Sequence, residues 1–310
     1  MRNQATSHIL MIRPVRFGFN EQTAASNAFQ DVKLAAQTKD LAQEDAQREF
    51  DEMVRQLQAA GVEVMVVEDT PEPHTPDSIF PNNWISFHNN GTVITYPMQA
   101  ENRRLERVED IITKLGEQYY INRRVDLTYF EKEGKFLEGT GSMVLDRKFK
   151  IAYACLSPRT HEDVLKEFSV QMNYDIVTFN AVDEAGKPIY HTNVLMCIGD
   201  LFAVICLQAI PDLDERYKVR QHLEQSGKRI VEITLDQMKH FAGNMLQVKT
   251  KKGNSLLVMS TQAYESLTHK QIDILDDYST LIHFDLSMIE GNGGGSARCM
   301  MAEVHLPVRQ

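Results

Sequence analysis

The sequence predicts an α/β propeller of five blades related by pseudo-fivefold symmetry, each blade a strand-loop-hairpin-helix repeat. Three observations predict it. Apolar periods of two and of 3.6 residues take turns along the chain, so strands and helices alternate. Hairpins recur, starting near Asn83, Gly141, Asn193, Asn244 and Ala297, and their spacing stays within 51–58 residues. Five such units closed into a ring leave no end unit in need of a cap.

The elements follow in order. His8–Arg13 reads as a short buried strand. Leu41–Ala60 reads as a helix, with Phe50, Met53, Val54 and Leu57 on one face and Gly61 ending it. Val62–Val67 is β-branched and reads as a strand. Trp84–His88 and Thr92–Tyr96 flank Asn89-Asn90-Gly91, a turn that tolerates positive φ. Glu101–Tyr120 is expected as one helix and Val125–Tyr129 as a strand. Ser142–Leu145 and Ile151–Leu156 form the next hairpin, followed by helix Thr160–Met172 and strand Ile176–Phe179. Val194–Ile198 and Phe202–Leu207 turn at Gly199-Asp200, and helix Asp212–Gln225 and strand Ile230–Thr234 follow. Met245–Lys249 and Leu256–Ser260 turn at Lys252-Gly253-Asn254, before helix Thr261–Gln271 and strand Leu281–Asp285. Loop Gly291–Gly295 and strand Arg298–Val304 close the list, and the N-terminal strand and first helix are expected to complete that last unit. No Pro/Gly/Ser linker interrupts the pattern, so 1–310 is read as one domain.

Composition narrows the function. With 33 Lys+Arg against 43 Asp+Glu the net charge is −10, which disfavours a nucleic-acid binder, since phosphate neutralisation needs concentrated cations. The longest apolar run, Leu201–Leu207, is far short of the ~20 residues that cross a bilayer, so no membrane partner is expected. The first apolar run, Ile9–Ile12, is shorter than the roughly 7–15 residues of a signal peptide. Cys155, Cys197, Cys206 and Cys299 form no C-x-x-C pair, which reads as reduced thiols in a cytoplasm.

A ring has a functional consequence. The loops before the five hairpins are equivalent, so all face one end of the pseudo-symmetry axis. They carry Asp77 with Asn82-Asn83, Glu138-Gly-Thr-Gly-Ser142, His191-Thr-Asn193, Gly243-Asn244, and the run from Gly293 to Cys299. Cys299 is the candidate nucleophile: Gly293–Gly295 would bring backbone amides close and Arg298 adds positive charge, both of which favour a thiolate. The other three cysteines sit inside apolar hairpins and read as buried core. His191 is the candidate acid/base, since its loop is equivalent to the others. His161-Glu162 lacks the second His of a zinc-protease motif, and no metal site is expected. Two carboxylates beside a thiol and an imidazole suit a planar group rich in N–H, such as guanidinium or ureido.

In these segments the chain resembles the guanidino-group-modifying enzymes, or penteins, which include arginine deiminases, dimethylarginine hydrolases and amidinotransferases. The matching stretches are Phe-Leu-Glu138-Gly, the loop of His191, and Gly-Gly-Gly-Ser-Ala-Arg-Cys299-Met. Within them it is most similar to citrulline-utilisation hydrolases, through Met-Ile-Arg-Pro-Val-Arg-Phe-Gly-Phe-Asn (11–20), Asp-Ser-Ile-Phe-Pro-Asn-Asn-Trp (77–84) and Tyr-His-Thr-Asn (190–193). The resemblance implies a five-bladed propeller, no metal or organic cofactor, Cys299 as nucleophile, His191 as acid/base, and Asp77 and Glu138 gripping the substrate, Glu138 within the catalytic set. Asn83, Asn193, Asn244 and Arg298 are further candidates for substrate contact, and Phe17 for a lid spanning Phe17–Asn20. Arginine deiminases carry His-x-Asp where this chain has His191-Thr192-Asn193, which tilts the expectation from guanidinium toward a neutral ureido group. The expected partner is a free guanidino or ureido amino acid, with a homo-oligomer possible. Two rivals stand beside a citrulline hydrolase: a deiminase or amidinotransferase of arginine or methylarginine, and a noncatalytic propeller that binds through its surface, as ribosome anti-association factors do. The second has no reason to keep Cys, His and two acids in equivalent loops.

Overall fold

The structure, a computed structural model, describes residues 3–24, 27, 29–38 and 41–309. Five three-stranded sheets form, and four of them share one plan: an antiparallel hairpin, a crossover helix, then a strand parallel to the second. The first of the four holds β3 (Ile85–Phe87), β4 (Thr92–Thr95) and β5 (Arg123–Asp126), with helix α4 (Glu109–Gln118) in the crossover.

The chain begins with β1 (His8–Arg13), α1 (Glu21–Ala24), α2 (Val32–Thr38), α3 (Ala42–Ala59) and β2 (Glu63–Glu68). After β5 the third sheet follows: α5 (Gly139–Ser142), β6 (Val144–Asp146), β7 (Ile151–Cys155), α6 (Glu162–Met172) and β8 (Asp175–Phe179). The fourth is α7 (Thr192–Leu195), β9 (Met196–Ile198), β10 (Phe202–Ile205), α8 (Leu213–Gln225) and β11 (Arg229–Glu232). The fifth is α9 (Leu235–Lys239), β12 (Leu246–Lys249), β13 (Ser255–Ser260), α10 (Thr261–Ser266), α11 (His269–Asp276) and β14 (Thr280–Phe284), and α12 (Ser287–Gly293) and β15 (Ala302–Glu303) end the chain. β15 pairs antiparallel with β1, and β1 pairs parallel with β2, so the two ends of the chain share one blade as the repeat requires.

The innermost strands touch neighbour to neighbour, β15 with β3, β6 with β9, and β9 with β12. The apolar core lies between blades and under their helices: Phe50 and Met53 of α3 face β1, and Phe168 of α6 packs near Tyr96 and Tyr174. Among the described residues no helix is long and apolar enough to cross a membrane.

Four elements differ from expectation. The helix expected over Glu101–Tyr120 is a 3₁₀ segment, Asn102–Glu106, and then α4, because Arg107 leaves helical geometry at ψ 85°. Thr261–Gln271 is two helices, α10 and α11, since Thr268 caps the second with a capping box to Gln271. The strand expected from Arg298 begins only at Ala302, after a turn over 297–300. Gly291–Gly293, expected in a loop, is the last turn of α12, which Gly294 ends at φ 64°.

Candidate active site

Five single turns gather where the inner strands begin: Pro81–Asn83, α5, α7, and the turns at 241–243 and 297–300. Their closeness explains the glycines. A Cβ on Gly139 (φ 46°) would lie 2.4 Å from the Asn82 carbonyl, and one on Gly243 2.3 Å from the Val194 carbonyl. Hydroxyls stitch neighbouring turns together: Thr140 Oγ1 donates to the Asn82 carbonyl at 3.2 Å and Thr192 Oγ1 to that of Ser142 at 2.6 Å. The ring of turns therefore fixes the side chains that follow.

Cys299 is buried at this ring. The Asn193 and Asn244 Nδ2 groups each donate to its Sγ, both at 3.3 Å. Asn244 is aimed by two further bonds: it donates to the Asn193 carbonyl at 3.0 Å and accepts the Arg298 N–H at 3.0 Å. Burial pushes the Cys155 and Cys197 thiols up to about 12 and raises Cys206, so those three stay protonated.

His191 donates from Nε2 to Glu138 Oε2 at 2.7 Å. Burial drives its imidazole down to about 4 against the pull of Glu138, so the ring is neutral at pH 7 and its Nδ1 is a base. Burial pushes the Glu138 carboxyl up, but Arg159 and the His191 hydrogen bond outweigh it and hold the group ionised, well below the usual carboxylate range. Glu138 Oε1 accepts the Gln99 N–H at 3.0 Å. Both oxygens are thus engaged, with His191 and the Gln99 N–H, and Glu138, expected from the sequence to grip a substrate, does not line the cavity.

Asp77 does face the cavity. Its Oδ2 accepts from Asn20 at 2.7 Å and Thr23 at 3.4 Å, while its Oδ1 is buried with no hydrogen-bond partner. Burial raises its pKa, with Arg103 opposing. Asn83 also lines the cavity and accepts from Arg103 Nη1 at 2.8 Å.

Two expected contacts are corrected. Arg298 turns away: its Nη2 pairs with Glu303 at 2.7 Å and its Nη1 donates to the Met301 carbonyl, so its charge is spent behind the thiol. Phe17 packs in the apolar cluster of Phe80 and Ile289 and does not line the cavity. The cover lies farther along the chain. Asn20 and Thr23 hold Asp77, Arg159 Nη2 donates to the Thr23 carbonyl at 3.2 Å, and Asn27 donates to the Gly293 and Gly294 carbonyls.

Arg103 and Arg159 went unread in the sequence. Both are buried and line the cavity; Arg103 holds Glu106 at 2.8 and 2.9 Å, and Arg159 lies 4.9 Å over the Tyr190 ring. Tyr190 in turn donates to the Gly294 carbonyl at 2.7 Å. The only hint was position, since Arg159 follows β7 on the same face as the loops. The cavity bounded by Asp77, Asn83, Arg103, Arg159, His191 and Cys299 measures about 20 Å³, room for one water with the cover closed. A wider groove of about 1090 Å³ beside α2 contains neither Cys299 nor His191.

Comparison with known proteins gives a family and a fold. The family model described as N,N dimethylarginine dimethylhydrolase, eukaryotic, matches residues 13–306. The N-terminal domain of ArgZ bound to product, an arginine dihydrolase from the ornithine-ammonia cycle in cyanobacteria, superposes with a TM-score of 0.75 at 18% identity, over 97% of this chain and 98% of that one. An AgrE variant in complex with L-arginine gives 0.73 at 16% identity, over 98% of this chain and 41% of that one. Dimethylarginine dimethylaminohydrolase as its adduct with 4-chloro-2-hydroxymethylpyridine gives 0.63 at 15% identity, over 98% and 100%. These likenesses establish the propeller fold. No curated protein matches the chain in sequence.

Proposed function

The chain belongs to the N,N dimethylarginine dimethylhydrolase family, within the pentein superfamily of guanidino-modifying enzymes, and from that premise we propose that it hydrolyses the ureido group of free citrulline to ornithine, ammonia and carbon dioxide. The observation that carries the choice of ureido is the pair of amide NH₂ groups, Asn193 and Asn244, converging on the Cys299 sulfur at 3.3 Å. When that sulfur bonds to the substrate carbon, the atom beside it meets two donors. A ureido oxygen accepts from them; guanidinium nitrogens carry only N–H and cannot. The charges of the cavity wall do not enter this choice, since Arg103 is paired with Glu106 and Arg159 with Glu138.

The reaction runs in two halves. Cys299 Sγ attacks the ureido carbon, and neutral His191 takes the thiol proton and passes it to the terminal nitrogen, which leaves as ammonia. A thiocarbamate remains on Cys299. Water, giving up a proton to His191, then attacks the same carbon and returns the thiol. The carbamic acid released breaks down to ornithine and carbon dioxide. Glu138 fixes the His191 tautomer and steadies the imidazolium that forms in each half. The free Oδ1 of Asp77 accepts the ureido N–H, and Arg159 meets the α-carboxylate. The four unbridged thiols fit a cytoplasmic setting.

A second reading, arginine hydrolysis at the guanidino carbon, is favoured by family membership and by the same free Asp77 oxygen. The test is a panel of citrulline, arginine, dimethylarginine, agmatine and carbamoyl-putrescine, following ammonia and the amine product. Citrulline is expected to give the highest kcat/KM. An arginine or dimethylarginine value equal to it or higher overturns the ureido reading and leaves the guanidino one.

A further inference from the structure

Three consecutive glycines, Gly293–Gly295, lead into the turn that carries Cys299, and they have no side chains with which to fix themselves. A chain of that kind samples many conformations unless something outside it fastens both ends. Asn27 and Tyr190 hold the Gly293 and Gly294 carbonyls from the cavity side, and Glu290 ties both ends of the run. Glu290, buried on α12, accepts the Gly294 N–H on its main-chain carbonyl at 2.8 Å. Its side-chain Oε1 accepts the Ser296 hydroxyl at 2.5 Å. The Ser296 carbonyl then accepts the Cys299 N–H at 2.9 Å, closing the turn under the thiol.

The fastening is itself held. Gln262 of α10 donates to Glu290 Oε2. At the other end of α12, the Glu49 carboxylate of α3 accepts the Met288 and Ile289 N–H groups at 2.9 and 3.0 Å. The cover docks on the same helix: the Asp31 N–H donates to the Gly291 carbonyl at 2.8 Å and Gln30 to that of Asn292 at 3.0 Å. The charged groups around Glu290 are Asp285 and Glu49, with Asp31, Lys33, Asp183, Glu184, Lys239 and Glu265 across the adjoining groove. Among the described residues no salt bridge reaches its carboxylate; burial pushes it up to about 7, and hydrogen bonds from Ser296, Ser260 and Gln262 oppose that. A carboxylate kept in so costly a position, tied to the turn of the thiol, is doing more than filling space.

We propose that Glu290 is a positioning residue for Cys299, fastening the Gly293–Gly295 run and, through Ser296, setting the sulfur against the Asn193 and Asn244 donors. The inference rests on the reading of Cys299 as the nucleophile. Its consequence is read without any substrate: a sulfur displaced from its two donors is a weaker acid, whatever reaction the enzyme performs.

The test compares Glu290→Gln, Glu290→Leu and Ser296→Ala. The pH midpoint of Cys299 alkylation by iodoacetamide is followed by peptide mass spectrometry, alongside kcat, KM and the melting temperature. Glu290→Leu and Ser296→Ala should raise the midpoint by about half a pH unit or more. They should lower kcat roughly tenfold while KM stays within twofold, as expected of a misplaced reacting group. Glu290→Gln, which keeps an acceptor and a donor, should restore both readouts to within threefold. An unchanged midpoint and kcat in Glu290→Leu, with only a lower melting temperature, makes the residue structural and overturns the proposal. Should Glu290→Leu fail to fold, Ser296→Ala, the loss of one hydroxyl, decides it by the same two readouts. A shifted midpoint in a protein that turns over no ureido or guanidino substrate leaves this inference standing and sinks the proposed function instead.

Discussion

Replacing Asn193 by Asp tests the choice of substrate at the atom that makes it. Asn193 is buried, with its NH₂ 3.3 Å from the Cys299 sulfur. The change removes a donor and sets an acid in its place. Two effects follow, and they separate cleanly. The first falls on the thiolate: a unit charge about 4 Å from another is disfavoured by about 4 kcal/mol at the effective dielectric near a protein surface. That penalty slows attack on every substrate alike and cancels in a ratio. The second falls on the substrate. A ureido oxygen keeps Asn244 but loses Asn193 and faces a carboxylate oxygen in its place, and a buried polar contact left unmade costs about 1–3 kcal/mol, a factor of roughly 5–150. A guanidinium loses nothing and gains an anion. The ratio of kcat/KM for citrulline to that for arginine should therefore fall by that factor, while both absolute values drop. The assay is chromatographic separation of ornithine, citrulline and arginine, with ammonia measured in parallel. A wild type that prefers arginine, or a ratio unchanged within threefold in the variant, refutes the reasoning.

Other expectations follow from neighbouring contacts. Cys299→Ser should abolish turnover with the melting temperature unchanged, and iodoacetamide should label Cys299 before Cys155, Cys197 or Cys206, as peptide mapping will check. His191→Ala should block both halves of the reaction, and where some attack persists intact-protein mass spectrometry after mixing with substrate should find an adduct on Cys299, because the hydrolytic base is gone; an unmodified mass with wild-type turnover would point to a different base. Glu138→Gln, which keeps the shape and loses the charge that steadies imidazolium, should lower kcat by about 10³-fold or more with little change in KM. Gly243→Ala places a Cβ against the Val194 carbonyl and should destabilise by about 1–3 kcal/mol in urea titration, with kcat falling as Asn244 shifts. Lys228→Ala strips a fully buried ion pair of its cation, 3.2 Å from Asp146, and should lower stability by about 3–5 kcal/mol without altering activity per folded molecule.

The blades were legible because a hairpin whose inner strand is buried on both faces must be apolar, and Val194–Ile198 and Phe202–Leu207 are apolar almost throughout. The period then brought the five loops together without any long-range information. What stayed hidden was decided by partners distant in the chain or by turns that bring near neighbours together. Glu138 looked like a substrate anchor because its partner His191 lies 53 residues on, and nothing local announces that bond. Arg298 looked like a cation for the thiol, and only the fold brings Glu303 round to neutralise it. Arg103 sat inside the helix expected over Glu101–Tyr120, where an arginine is ordinarily solvated; in the 3₁₀ segment it is buried on Glu106 and Asn83. Element ends failed where a cap, as at Thr268, outweighed the apolar period.

The pairing of β1 with β15 sets a schedule for the newborn chain. Ile9 finds its partner only when Glu303 has been made, and at ordinary synthesis rates of about 5–20 residues per second that is a wait of about 15–60 s. Throughout it, the axis-facing edge of β1 stands open to any passing strand. Cys299 lies four residues before Glu303, so the proposed nucleophile is translated just ahead of the strand that shuts the ring. A ribosome that stops short of residue 299 releases a chain with an unsealed edge and no sulfur at the axis. Half-made copies are therefore sticky but chemically silent, and reactivity comes into being together with closure.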